Sequence, residues 1–130
     1  MEIATPNTGI EVLIIEDELD ICFLLSDILR KQSVQADFAT CLFDAQKALK
    51  KIHPNVLFID NHLPDGYGVD FIPVVKKEYP QTKIVMMTAH DTGADEERAV
   101  RMGADYFIGK PFTQATIINT LHAVLANNHN

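Results

Sequence analysis

The run Val56-Leu57-Phe58-Ile59-Asp60, followed by Asn61-His62-Leu63-Pro64-Asp65-Gly66, constrains the fold more than any other stretch of the chain. Four consecutive apolar residues, two of them β-branched, leave no polar face. Such a segment suits a strand of a parallel sheet covered by helices on both sides. It runs straight into a carboxylate and then into turn formers, which ends the strand at Asp60. Ligands of such sheets sit beyond the carboxyl ends of the strands, so Asp60 is expected where the fold does its chemistry.

The remaining chain alternates between two periods. Val12-Leu13-Ile14-Ile15 reads as a first strand ending in Glu16-Asp17-Glu18. Leu19, Ile21, Leu24, Leu25, Ile28 and Leu29 recur at helical spacing, with Asp20 near the start and Arg30-Lys31 at the end, as the helix dipole prefers. Val34 to Ala39 is a short second strand, and Thr40 is placed to cap a helix with Leu42, Ala45, Leu49 and Ile52 inward, stopped by His53-Pro54. After the loop beyond Asp60, Pro73 is the difficulty, because a proline inside a helix costs about 3 kcal/mol. The third helix is therefore expected to start late, near Asp70, or to bend at Pro73. Ile84-Val85-Met86-Met87 is the fourth strand, ending at Thr88, and Asp95 to Met102 is a charged helix closed by Gly103. Tyr106-Phe107-Ile108 is the fifth strand, ending at Gly109-Lys110-Pro111, and Thr113 caps a last helix carrying Ile117, Ile118, Leu121, Val124 and Leu125.

Five strands alternating with five helices predict a doubly wound α/β fold with a five-stranded parallel sheet. Right-handed crossovers favour the flavodoxin-like order 2-1-3-4-5, with helices on both faces. At 130 residues, 47% of them hydrophobic, the chain suits one domain. It is read as a polar lead at 1–10, a domain at 11–126 and a polar tail at 127–130. Acidic residues outnumber basic ones by 18 to 11, for a formal charge of -7, a field that repels nucleic acid and anionic membranes. Cys22 and Cys41 lack metal-ligand spacing and are read as buried free thiols, which suits a reducing cytoplasm. No signal peptide or membrane span is expected.

The predicted topology gathers Glu16 and Asp17, Asp60, Thr88 and Lys110 at one mouth. Each alone has a bland reading as a helix cap, a turn or a surface lysine. Together they put three carboxylates within mutual repulsion, which a hard cation relieves. Mg²⁺ fits best, because it takes one or two protein carboxylates and completes its shell with water and phosphate oxygens; Mn²⁺ is a substitute. With its charge so offset, Asp60 is placed to attack a phosphoryl group and become an aspartyl phosphate, its oxygens held by Thr88 and Lys110.

Glu16-Asp17, Asp60 with Pro64 and Gly68 at four and eight residues beyond, Thr88-Ala89 and Lys110-Pro111 resemble the receiver domain of two-component response regulators. The resemblance spans about residues 11 to 126. It implies that a sensor histidine kinase or histidine phosphotransfer protein donates phosphoryl to Asp60. It also implies Mg²⁺ on Asp17, Asp60 and the backbone carbonyl of His62, with Glu16 acting through water, and a cis bond at Lys110-Pro111. Glu16 stands where Asp is common and Phe107 where Tyr is common. Phosphorylation would draw Thr88 inward and let Phe107 follow, switching the surface of the fourth helix, fifth strand and fifth helix. In similar receivers the positions of His62 and His90 tune the lifetime of the acyl phosphate. Here each ring is read as steering water, shielding the phosphoryl group or binding a softer metal, and hydrolysis tuning is favoured because the carboxylates already suit Mg²⁺.

Rival readings are weighed on the site, since fold alone does not decide function. A flavin protein of this fold needs a hydroxyl- and glycine-rich phosphate loop after strand one, where Glu16-Asp17-Glu18 has the wrong charge. A dehalogenase-type phosphatase needs Asp-x-Asp, which Asp60-Asn61-His62 lacks. The alternative kept is a pseudo-receiver, a docking module independent of phosphorylation. No enzymatic activity is expected beyond self-phosphorylation and autodephosphorylation at Asp60, and the effector is expected in trans or in a longer parent protein.

Overall fold

The computed structural model describes residues 8–89 and 93–126. In chain order the elements are β1 (Glu11–Ile15), α1 (Leu19–Arg30), β2 (Gln35–Ala39), α2 (Leu42–Ile52) and β3 (Val56–Asp60). They continue with the two-residue strands β4 (His62–Leu63) and β5 (Gly66–Tyr67), then α3 (Gly68–Glu78), β6 (Lys83–Thr88), α4 (Gly93–Met102), β7 (Tyr106–Gly109) and α5 (Gln114–Ala126). The five longer strands form one parallel sheet in the order β2-β1-β3-β6-β7, as the alternation predicts. The β4–β5 pair is a small antiparallel ribbon in the loop after Asp60. Sequence reading treats that stretch as plain turn, because two-residue strands carry no period.

Both faces of the sheet are covered, which is why β3 is apolar from Val56 to Ile59, up to its terminal Asp60. Val12, Ile14, Val56, Phe58, Val85 and Met87 pack with Leu25 and Leu29 of α1 and with Ile117, Leu121 and Val124 of α5. Leu13, Ile15, Leu57, Ile59, Ile84 and Met86 pack with Leu49 of α2, Phe71, Ile72 and Val75 of α3, and Ala99 of α4. Each fully buried side chain of this size contributes about 1.5–3 kcal/mol.

Four local expectations are corrected. On α1 the buried face is Cys22, Leu25, Ile28 and Leu29, whereas Leu19 and Leu24 are about half exposed, at 51% and 52%, because α1 lays a narrower stripe on the sheet than its apolar residues span. The N-cap of α2 is Cys41, not Thr40, its Sγ accepting the Asp44 N–H at 3.5 Å. α3 begins at Gly68, before Asp70, and continues through Pro73. The Asn61 carbonyl and Oδ1 accept the Gly68 and Val69 N–H groups at 2.8 and 3.0 Å, so the preceding loop starts the helix early. Burial of Phe71, Ile72 and Val75 then carries it past the proline. α4 starts at Gly93, two residues before Asp95, and ends at Gly103 in a positive-φ conformation of +115°. The Thr113 cap stands as expected, its Oγ1 accepting the Thr116 N–H at 3.1 Å. Both cysteines are free; Cys22 is buried and Cys41 half-buried. No helix among the described residues is long and apolar enough to cross a membrane.

Candidate functional site

Parallel register brings the strand ends level. Ile15 pairs with Ile59, Asp60 with Met87, and Thr88 with Gly109, so Glu16, Asp60, Thr88 and Lys110 fall along one edge. The Lys110 ammonium organises them. Its Nζ lies 2.8 Å from Glu16 Oε2, 3.3 Å from Asp60 Oδ1 and 3.9 Å from Glu18 Oε1. Its backbone N–H donates to the Thr88 carbonyl at 2.9 Å, which ties β7 to the end of β6. The Lys110–Pro111 bond is cis. Glu16 is wholly buried and Asp60 is 5% exposed. Glu16 Oε1 accepts the Glu18 N–H at 3.2 Å, so both its oxygens are engaged.

Burial pushes the Glu16 carboxyl above its ordinary 4.5, the Lys110 hydrogen bond working against it and the Asp60 charge adding to it. Burial likewise raises Asp60 above 3.8, opposed by Lys110. For Lys110 burial acts downward, but its hydrogen bond to Glu16 and the charges of Asp60 and Glu16 outweigh that and leave the ammonium above 10.5. Removing one partner of such a buried pair strands a charge, at about 3–5 kcal/mol. Cys22, whose Sγ donates to the Glu16 carbonyl at 3.1 Å, is pushed up to about 11 by burial and by the charges of Glu16 and Asp17, so it remains a thiol.

Glu16, Asp17 and Glu18 present carboxylate oxygens that all lie within 4.8 Å of one another, Asp17 and Glu18 exposed at the mouth. This is a donor set of hard oxygens, the kind that suits Mg²⁺. Asp60 reaches the acidic group through Lys110. Thr88 is buried, and it lines a cavity of about 20 Å³ with Phe107, Met86, Ala99 and Asn61. Phe107 is half-buried there. His62 is exposed on β4, its ring edge-on to Tyr67 at 5.7 Å. His90 lies outside the described residues.

Two features of the loop after Asp60 escape a linear reading. A Cβ on Gly68 would run into the Asp60 carbonyl oxygen, so only glycine lets α3 start this close to the site. Asp65, which reads as a turn residue, accepts the Leu42 and Phe43 N–H groups at 2.8 and 2.9 Å and so caps α2 from a distant part of the chain. Nothing in the sequence signals it, because Thr40 reads as a sufficient local cap until the structure puts Cys41 at that position.

A family model for the response regulator receiver domain matches residues 12–122. The chemotaxis protein CheY of Thermotoga maritima is 31% identical over 117 residues, 89% of this chain and 98% of that protein. The nitrogen assimilation regulatory protein NtrX of Azorhizobium caulinodans is 32% identical over 113 residues, 83% of this chain. The chain spans 24% of NtrX, and 51% of the phosphate regulon regulator PhoB of Klebsiella pneumoniae. Among solved structures, the beryllofluoride-activated NtrC4 receiver domain dimer superposes with a TM-score of 0.86 at 30% identity, covering 91% of this chain and 98% of that one. The strand-end residues and this match along most of its length agree: the chain belongs to the response regulator receiver domain family of two-component systems.

Proposed function

We propose that Asp60 is the phosphoacceptor of this domain, receiving its phosphoryl group from a sensor histidine kinase or a histidine phosphotransfer protein in the cytoplasm. The observation that carries this reading is the Lys110 ammonium held 3.3 Å from Asp60 Oδ1, with Asp60 only 5% exposed at the end of the central strand. An Asp60 oxygen bonds to phosphorus as the donor's P–N bond breaks; the departing imidazole keeps the electron pair and takes a proton. Lys110, kept protonated by its carboxylate neighbours, and the Thr88 hydroxyl hold the phosphoryl oxygens. Asp17, Asp60 and the backbone carbonyl of His62 would hold Mg²⁺ or Mn²⁺, with Glu16 acting through water. When bound, the ion neutralises the carboxylates and polarises a phosphoryl oxygen. His62, exposed on the adjoining loop, tunes the phosphoryl lifetime, and so does His90.

Incubation with a small phosphodonor and Mg²⁺, followed by intact-mass measurement, is expected to add one phosphoryl group to the wild type and none to Asp60→Asn. Equal labelling of the variant overturns the assignment. No labelling of the wild type leaves the phosphorylation-independent docking module instead. The effector that reads the state of Asp60 acts in trans or belongs to a longer parent protein, as the partial coverage of NtrX and PhoB permits.

A further inference from the structure

The loop that carries His62 is fastened at both ends. At its base Asn61 accepts the first N–H groups of α3 through its carbonyl and its Oδ1. At its tip the Asp65 carboxylate spans two donors, Oδ1 taking the Leu42 N–H at 2.8 Å and Oδ2 the Phe43 N–H at 2.9 Å. These are the first two residues of α2, and that helix is a fixed support, because Ala45 and Leu49 seat it against the sheet. Next to Asp65, Gly66 adopts φ +153°, and a Cβ there would stand 2.9 Å from Leu42 Cδ1, so the tip rests directly on α2. Leu63 and Leu42 pack on the same apolar cluster. Between base and tip the β4–β5 ribbon pairs His62 with Tyr67 and Leu63 with Gly66, so a shift at Asp65 is passed to His62.

We propose that Asp65 is a positioning residue: by clamping the loop tip to α2 it fixes the His62 main-chain carbonyl relative to Asp60 and so sets the affinity of the pocket for Mg²⁺. This rests on the phosphoacceptor reading above. Mg²⁺ demands near-ideal octahedral geometry, and a loop released at its tip supplies a poorly placed carbonyl. The hydrogen bonds from Leu42 and Phe43 also hold the Asp65 carboxyl below its ordinary 3.8, so the clamp is ionised at neutral pH. Altering a group that directly supports a metal ligand typically costs about 10- to 100-fold in affinity, and Asp65 acts one step further out, so a loss of about 3- to 10-fold is expected.

The test titrates Mg²⁺ into four forms of the whole chain, with backbone amide shifts around the pocket reporting binding. Asp65→Ala is expected to weaken Mg²⁺ binding by about 3- to 10-fold. Asp65→Asn keeps one acceptor oxygen and falls between that variant and the wild type. Cys41→Ala weakens the local cap of α2 without touching the loop and is expected to bind as the wild type does. Labelling of Asp65→Ala by a small phosphodonor returns to the wild-type rate once Mg²⁺ saturates. Wild-type affinity in Asp65→Ala, or an equal loss in Cys41→Ala, overturns the proposal and leaves the phosphoacceptor reading intact. A wild-type pocket that binds no Mg²⁺ overturns both.

Discussion

Glu16 carries one methylene more than the aspartate common at its position, and its wholly buried carboxylate meets the largely buried Lys110 ammonium at 2.8 Å. Reach of that kind decides partnerships residue by residue here. Asp65 shows it in the open: exposed, it still finds two main-chain donors at the start of α2. Those bonds depress its carboxyl below 3.8 in the folded state. A depressed acid contributes stability that is fully present above its unfolded value and is lost as pH falls through the folded one. Asp65→Asn is therefore expected to unfold at lower urea than the wild type near neutral pH. The two midpoints should converge once the pH is below both values, where Asp65 is as uncharged as Asn. A difference in midpoint that stays constant from neutral to acid would show that charge on Asp65 does not matter.

Among the elements, α3 and α4 are held in opposite ways. α3 buries Val69, Phe71, Ile72 and Val75, and this packing carries it across Pro73, which lacks the N–H that would bond to the Val69 carbonyl. A proline inside a helix costs about 3 kcal/mol, and loss of its stiffening of the unfolded chain takes back roughly 0.4–1 kcal/mol. Pro73→Ala, on an exposed position, is therefore expected to raise stability by about 2 kcal/mol, read as a higher urea midpoint with unchanged slope. A lower midpoint would mean that the ring itself supports the helix. α4 buries Ala99 alone and is bridged to α3 by the exposed Arg98–Asp70 pair at 3.0 Å, a contact worth at most about 1 kcal/mol. It is the lightly held element beside Thr88.

For the molecule as a whole, that contrast points to where a signal would travel from Asp60, the proposed phosphoacceptor. Thr88 and Phe107 line one small cavity with Ala99 of α4, so a pull on the Thr88 hydroxyl acts on side chains shared by β6, β7 and α4. With Mg²⁺ and beryllofluoride as phosphoryl mimic, backbone NMR shifts are expected to change through α4, β7 and the start of α5 while α2 stays still. Changes confined to the pocket would sink the switch. Much of this was set by local sequence. The strands, their order and the carboxylate at the end of β3 follow from apolar runs and turn residues, because burial on both faces leaves its mark on neighbouring positions. The tertiary structure decided the rest: which carboxylates Lys110 grips, why Asp65 serves α2, why Leu19 and Leu24 face outward, and how α3 survives Pro73. Those outcomes depend on side-chain reach and packing between segments that meet only once the sheet has assembled.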